Sequence, residues 1–348
     1  MLATAALIAL WAAQETKDRV LAGDADCKLR NDNELRRTSR GPKEENNRAH
    51  RFCRCTCCRG NCYTCDRRQA LEKGMFKAAG LDIDGITAGS GGGTTMRNTL
   101  AGEIPVGEVS TSVAIAAARS GVKLKVIYAA SNHVGELAWA AKPDSGINSI
   151  KDLIGKKVAY TNPRSTTEMV VRYALEKENL TDKVEILPLG GLGPALTALS
   201  QSAVAAAPLN DPLMTLHPGD YRILFYAWKY YPQFCWQVGV TTDEYAAAHP
   251  DIVRKIVEVH RKAVDFTYAN KEEAAEIYAK VWNVALSEAM GILPKYYEWH
   301  HWSAGEFSRE GLDAVINGLN SVGELQGSVD WSKLIDQQYL DKDLHQKL

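Results

Sequence analysis

The stretch KKVAYTNPRSTTEMVVRYALEKENLTDKVEILPLG, residues 156–190, decides the fold. KKVAYT (156–161) reads as a short strand, closed by the turn pair Asn162-Pro163. TTEMVVRYALEKENL (166–180) reads as a helix, opened by Ser165 with Glu168 three residues on, the spacing of a capping box. VEILPLG (184–190) returns as a strand. Strand, helix and strand in so little chain form a crossover unit whose strands run parallel.

The same alternation extends both ways. Upstream lie the helix QALEKGMFKAAG (69–80), the strand LDIDGIT (81–87), the loop AGSGGG (88–93) and a helix at TTMRNTLAGE (94–103). The strand IPVGEVS (104–110), the helix SVAIAAARSG (112–121), the strands VKLKVIYAA (122–130) and VGELAWAAK (134–142) and the short helix SIKDLIG (149–155) follow. Downstream come the helix PALTALSQ (194–201), the apolar run AVAAAPLN (203–210) and the strands YRILFYA (221–227) and CWQVGVTT (235–242). The remainder is helical: 249–269, with Ile252, Ile256, Val259, Ala263 and Phe266 on one face, then 271–284 and 308–323. The pattern predicts an α/β protein with parallel sheets covered on both faces, in two lobes: 68–142 with 240–348, and 143–239.

The 348 residues, 45% apolar and 24% charged, are ordinary globular composition, and a net charge of −1 gives no field to attract nucleic acid or an anionic membrane. No apolar run nears the roughly 20 residues of a membrane-spanning helix. MLATAALIALWAA (1–13) has the size of an export signal, and residues 1–14 are read as one, although it lacks a basic start and Trp11 spoils the cleavage site. Residues 15–67 are rich in Arg and Cys, hold seven of the eight cysteines and are expected to be disordered; NDNELRRTSRGPKEENNRAHR (31–51) has neither helical nor strand periodicity.

Ligands in open α/β sheets sit at the carboxyl ends of strands, which selects the loops 88–95, 110–112, 131–133, 161–167 and 209–212. In the first, Ser90, Gly91, Thr94 and Thr95 precede or open a helix, where bare N–H groups and the dipole favour an anion. Met96 and Arg97 follow the threonines where an ATP loop needs a lysine. Gly89-x-Gly91 with Glu108 keeps open a dinucleotide site. Ser165, Thr166 and Thr167 form a second hydroxyl-rich helix start; Ser110, Thr111, Ser112, Asn132, Asn210 and Asp211 complete the candidates. Each group reads equally as caps and turns. Trp228, Tyr230, Tyr231, Trp236, Trp299 and Trp302 are core or cleft aromatics. No G-x-S-x-G or H-E-x-x-H occurs, His300-His301 reads as packing, and no cofactor, metal or catalytic set is expected.

EKGMFKAAGLDI, LAGEIPVGEVSTS, GVKLKVIYAAS, SIKDLIGKKVAY, STTEMVVRYALEKENL and PLNDPL, in order over about 68–345, resemble the solute-binding proteins of ABC importers for nitrate, sulfonate, taurine and thiamine-pyrimidine precursors. The resemblance implies a two-lobed periplasmic-binding-protein-like fold, two crossovers and a cleft holding a small anionic or polar solute. It also implies a monomer exported to the periplasm that docks onto a membrane permease and has no nucleic-acid partner. The alternative is a pyrimidine-synthase-like or dinucleotide-dependent enzyme.

Members of that family carry a hydrophobic first strand where this chain has residues 18–67, and these are not expected to supply it. FCRCTCCRGNCYTC (52–65) admits a zinc site, through Cys62, Cys65 and two of Cys53, Cys55, Cys57 and Cys58. It also admits disulfides, disfavoured by adjacent Cys57-Cys58. The favoured reading is that 18–67 is translated out of frame.

Overall fold

The computed structural model describes residues 52–55, 65–83, 86–89, 92–102 and 104–348. The signal-like segment 1–14, most of 15–67, and Ser90 and Gly91 lie outside the described residues.

Five strands make the first sheet, in spatial order β2 (Ile86–Gly89), β1 (Phe52–Cys55), β3 (Gly107–Ser110), β10 (Gln237–Thr242) and β4 (Leu124–Ser131). β1 pairs parallel with β2 and β3, whereas β10 runs antiparallel to both β3 and β4. The place denied to residues 18–67 is therefore filled from within them, by FCRC. A ladder is built from backbone N–H and C=O groups, which any four non-proline residues supply. Composition averaged over fifty residues does not test a four-residue strand.

The second group contains β5 (Leu137–Ala141), β6 (Lys157–Tyr160), β7 (Glu185–Pro188), β8 (Ala207–Asn210) and β9 (Arg222–Tyr226). β5 lies antiparallel between β8 and β9, and β6 pairs parallel with β7. The bonds Ala159 N–H to Ala206 O (2.8 Å) and Ala205 N–H to Lys157 O (2.7 Å), with a parallel bridge between Val158 and Ala206, join β6 to the start of β8. The continuous order is thus β7-β6-β8-β5-β9, the arrangement of the first sheet. In each, the fourth strand is antiparallel and arrives from the other sheet. The expectation of wholly parallel sheets is corrected at these two strands, because a chain that crosses over and returns enters each sheet from the opposite end. The strand 137–141, placed by its number in the first lobe, pairs within the second, and β10 starts at 237 in the first.

Nine helices of eight or more residues occur among the described residues: α1 (Cys65–Glu72), α2 (Gly92–Leu100), α3 (Thr111–Arg119), α4 (Thr166–Lys177), α5 (Leu192–Ser200), α6 (Pro250–Ala269), α7 (Lys271–Trp282), α8 (Leu286–Glu298) and α9 (Arg309–Ser321). α1 begins earlier than its periodicity suggests, and the strand expected over 81–87 appears at 86–89. α8 departs from the sequence pattern because it contains Pro294, and proline ordinarily ends a helix. On α6 the buried stripe runs through Val253, Ile256, His260, Ala263 and Thr267, with Ile252 and Phe266 at its margin. The main core centres on β4 and β10, with Val126, Ile127, Tyr128, Val238 and Val240 all buried. Tyr278, Ile292, Leu293, Tyr296 and Trp302 form a satellite core under α7 and α8.

Candidate functional site

Two crossovers tie the sheets together. Asn132–Glu136 carries the chain from β4 to β5, and Ala227–Trp236 returns it from β9 to β10. They bond to one another: Phe234 N–H donates to Asn132 O (3.2 Å) and Trp236 N–H to Ser131 O (2.8 Å). From Ser131 to Leu137 the chain spans at most about 20 Å, which keeps the carboxyl end of β4 close to the edge where β8 ends and β5 begins.

On the first edge Gln237 lies in register between Ser110 and Ser131. Ser110 Oγ and Ser112 Oγ are 3.0 Å apart. Thr111 is committed elsewhere: its hydroxyl donates to Cys235 O (2.6 Å) and its N–H to Trp236 O (3.0 Å), fastening α3 to the crossover. Asn132 Nδ2 donates to Glu306 O (2.9 Å), and its Oδ1 has no hydrogen-bond partner among the described residues. Thr95, wholly buried on α2, has an Oγ1 with no hydrogen-bond partner among the described residues. Gly107 lets α2 approach β3, since a Cβ there would collide with Thr99 and Thr95.

On the second edge three hydroxyls close a ring: Thr161 with Thr167 (2.7 Å), Thr167 with Ser165 (2.8 Å) and Thr161 donating to Ser165 (3.2 Å). Each hydroxyl has one proton, so a ring of three consumes its own donors. What stays available is Thr166, whose buried Oγ1 has no partner among the described residues, and the first-turn N–H groups that a helix cannot satisfy itself. The capping box is only half formed. Ser165 Oγ accepts from Glu168 N–H (3.3 Å), but the Glu168 carboxylate accepts from Arg164 N–H (2.7 Å), one residue earlier than the motif predicts.

One strand over, β8 ends in Asn210, whose Nδ2 has no partner among the described residues, and is followed by Asp211, whose Oδ1 accepts from Thr215 N–H (3.1 Å) and Thr215 Oγ1 (2.6 Å). Burial pushes the Asp211 carboxyl up, against the pull of Thr215, Lys295 and Tyr296. Beside it Glu136, also wholly buried, accepts from the Tyr296 hydroxyl at 2.6 Å. Gly135 sits against Trp299, which stacks on His133 (5.4 Å, 17°). His133 Nδ1 accepts from Gly135 N–H (2.8 Å), and burial lowers its pKa to about 4.

Sequence reasoning missed Glu136, Gln237 and Tyr296. The signal for Glu136 was its lone charge inside the apolar run VGELAWAA. Of the aromatics, Tyr231, Trp236 and Trp302 are core, while Trp228 is 41% exposed. A cavity of about 440 Å³ opens elsewhere, between Ile115, Arg119, Leu124 and Leu334, away from every candidate loop.

Two sheets of one strand order, exchanging a strand through paired crossovers, define a two-lobed periplasmic-binding-protein fold. Solved structures share it. The periplasmic aliphatic sulphonate binding protein SsuA of Escherichia coli aligns with TM-score 0.65 at 17% identity, covering 86% of this chain and 96% of that one. The periplasmic nitrate-binding protein NrtA of Synechocystis PCC 6803 aligns with TM-score 0.66 at 13% identity, covering 84% and 87%. A Candida albicans protein with the generic periplasmic binding protein fold gives TM-score 0.66 at 13% identity, covering 85% and 99%. The chain belongs to the NMT1/THI5-like family, whose model matches residues 69–274. A Brucella abortus (strain 2308) protein named as a binding protein is 28% identical over 221 residues, 61% of this chain and 65% of that one. The match thus spans less than two thirds of that relative.

Proposed function

We propose that this protein is the extracytoplasmic solute-binding component of an ABC importer, a non-enzymatic monomer that holds a small anionic or polar solute between its lobes and delivers it to a membrane permease. The observation that carries the reading is the pair of mutually bonded crossovers, Asn132–Glu136 and Ala227–Trp236, which join the carboxyl edges of two like sheets. Such a junction suits lobes that close on a ligand. The donors at hand are Thr166 Oγ1 and the start of α4, the Ser110 and Ser112 hydroxyls, and Asn210 Nδ2. Thr94, Thr95, Ser90 and Gly91 would contribute from the first lobe, while Thr111, Ser165 and Thr167 hold the frame. The sulphonate- and nitrate-binding proteins of like fold support this class of solute.

Thermal-shift screening of the purified chain against nitrate, alkanesulfonates, bicarbonate, pyrimidines and NAD tests it. A ligand bound at 100 times its Kd stabilises by about 2.7 kcal/mol, well within detection. Saturable stabilisation by one small solute is expected; stabilisation by NAD alone refutes the reading.

A further inference from the structure

Glu324, just beyond the end of α9, is held by two arginines that come from different sheets. From α3, which follows β3 of the first sheet, Arg119 Nη1 donates to the Glu324 carbonyl (2.9 Å). From the loop after β6 of the second sheet, Arg164 Nε meets the Glu324 carboxylate at 2.7 Å. Arg164 is an unusual occupant of its position. Its φ of 66° lies in the left-handed region, where glycine or asparagine is the common choice. Its backbone N–H is fixed there by the Glu168 carboxylate (2.7 Å). That carboxylate is already paired with Arg172 at 2.8 Å, and the Arg164 guanidinium goes to Glu324 instead.

The pair sits at the free end of a lever. The far end of α4 is tied to the returning crossover: the Tyr230 hydroxyl donates to Glu178 Oε1 (3.1 Å), and the rings of Tyr173 and Tyr231 lie 4.8 Å apart. Between the two ends α9 packs against both α4 and α3, and Gly318 lets it approach Met169 and Tyr231 closely. The 12 residues of α4, at about 1.5 Å each, put Arg164 about 18 Å from the tied end. A rotation of about 10° about that end moves Arg164 by about 3 Å, further than a direct ion pair can stretch.

We propose that Arg164 and Glu324 form a latch across the two sheets: paired, they hold the start of α4 against α9 and the first lobe; parted, they let the lobes open. What the opening serves rests on the solute-binding reading above, whereas the latch is a property of the chain alone. Arg164 is 65% and Glu324 30% exposed, so the pair is weak and screened by salt, as a reversible catch must be.

Single-molecule energy transfer on the full chain tests the latch. The dyes are carried by azido side chains introduced at two exposed positions: Lys183, ahead of β7, and Lys262 on α6, whose His260 stacks on Tyr128 of the first sheet. The wild-type ratio of closed to open molecules should fall as salt shortens the screening length from about 10 Å at about 0.1 M to about 3 Å at about 1 M. Arg164→Gln and Glu324→Gln should each lower it roughly twofold to fivefold, within the range of an exposed ion pair. The double glutamine variant should fall no further, and Arg164→Glu combined with Glu324→Arg should recover part of the loss. The salt titration needs no variant, so the test stands even if a substituted chain folds poorly. A wild-type ratio indifferent to salt, a ratio that neither single substitution moves, or losses that add in the double variant overturns the latch. The assay contains no solute, so each of those results leaves the solute-binding reading standing; that reading fails on its own thermal-shift screen.

Discussion

Gly239 is, among the described glycines, the one where an added Cβ would meet its neighbours most closely. It lies on β10 directly opposite Tyr128 of β4, and the Tyr128 ring covers it. A Cβ on residue 239 would come within 3.0 Å of three ring carbons. Carbon atoms pack best at about 3.5–4.0 Å, so the ring must withdraw by roughly 1 Å or more. It has nowhere to go, being fully buried and stacked on His260 at 4.4 Å. Overpacking of this kind costs about 1–3 kcal/mol, and the rigidity of the site argues for about 3. At a few degrees per kcal/mol, Gly239→Ala should lower the melting temperature by roughly 6–12 °C. Tyr128→Ala should cost about 4 kcal/mol through the cavity it leaves. The double variant should be no worse than Tyr128→Ala, a coupling of about 3 kcal/mol in a double-mutant cycle read by urea denaturation. Additive losses, or a Gly239→Ala protein within about 0.5 kcal/mol of wild type, would refute the argument that an aromatic ring roofs this strand.

Ser165→Ala removes the cap of α4 and opens the hydroxyl ring; about 1 kcal/mol should be lost in chemical denaturation and largely restored by Ser165→Asp. Trp139→Phe deletes the indole donor to Ala159 O (2.9 Å) at a wholly buried site between β5 and β6, and should cost about 2 kcal/mol in the same assay. For His133, with a folded pKa of about 4 against the ordinary 6.5, both states are neutral above pH 6.5 and nothing is lost there. As pH falls from 6.5 toward 4 the unfolded chain takes up a proton that the native one refuses, so stability declines across that window. Protonation would also displace the Gly135 N–H from Nδ1. His133→Gln should flatten part of the decline in urea midpoints between pH 7 and 4.5, with buried His301, lowered in the same direction, keeping a residual slope.

Most elements from Gly107 onward were legible because they depend on nearby residues: KKVAYT became Lys157–Tyr160 and SVAIAAARSG became Thr111–Arg119, within a few residues. The hydroxyl-rich start of α4 was equally visible in TNPRSTTEM, but not the ring through which its hydroxyls satisfy one another. Thr111 looked like a ligand group and is instead tied to Cys235, 124 residues away. α8 and β1 escaped notice for opposite reasons, one broken in appearance by Pro294 and the other drowned in Arg and Cys.

By itself, then, the sequence determined for most elements, α8 and β1 excepted, where the chain is extended or helical, because that choice is made by backbone sterics and by the spacing of apolar residues along a few turns. Only the tertiary structure decided that β5 and β10 change sheets, that FCRC lies between β2 and β3, and that Glu136, Asp211 and Tyr296 meet at one edge. Those outcomes turn on which distant backbone groups find each other and which buried side chains are brought into contact. Neither is a property of any short stretch of residues.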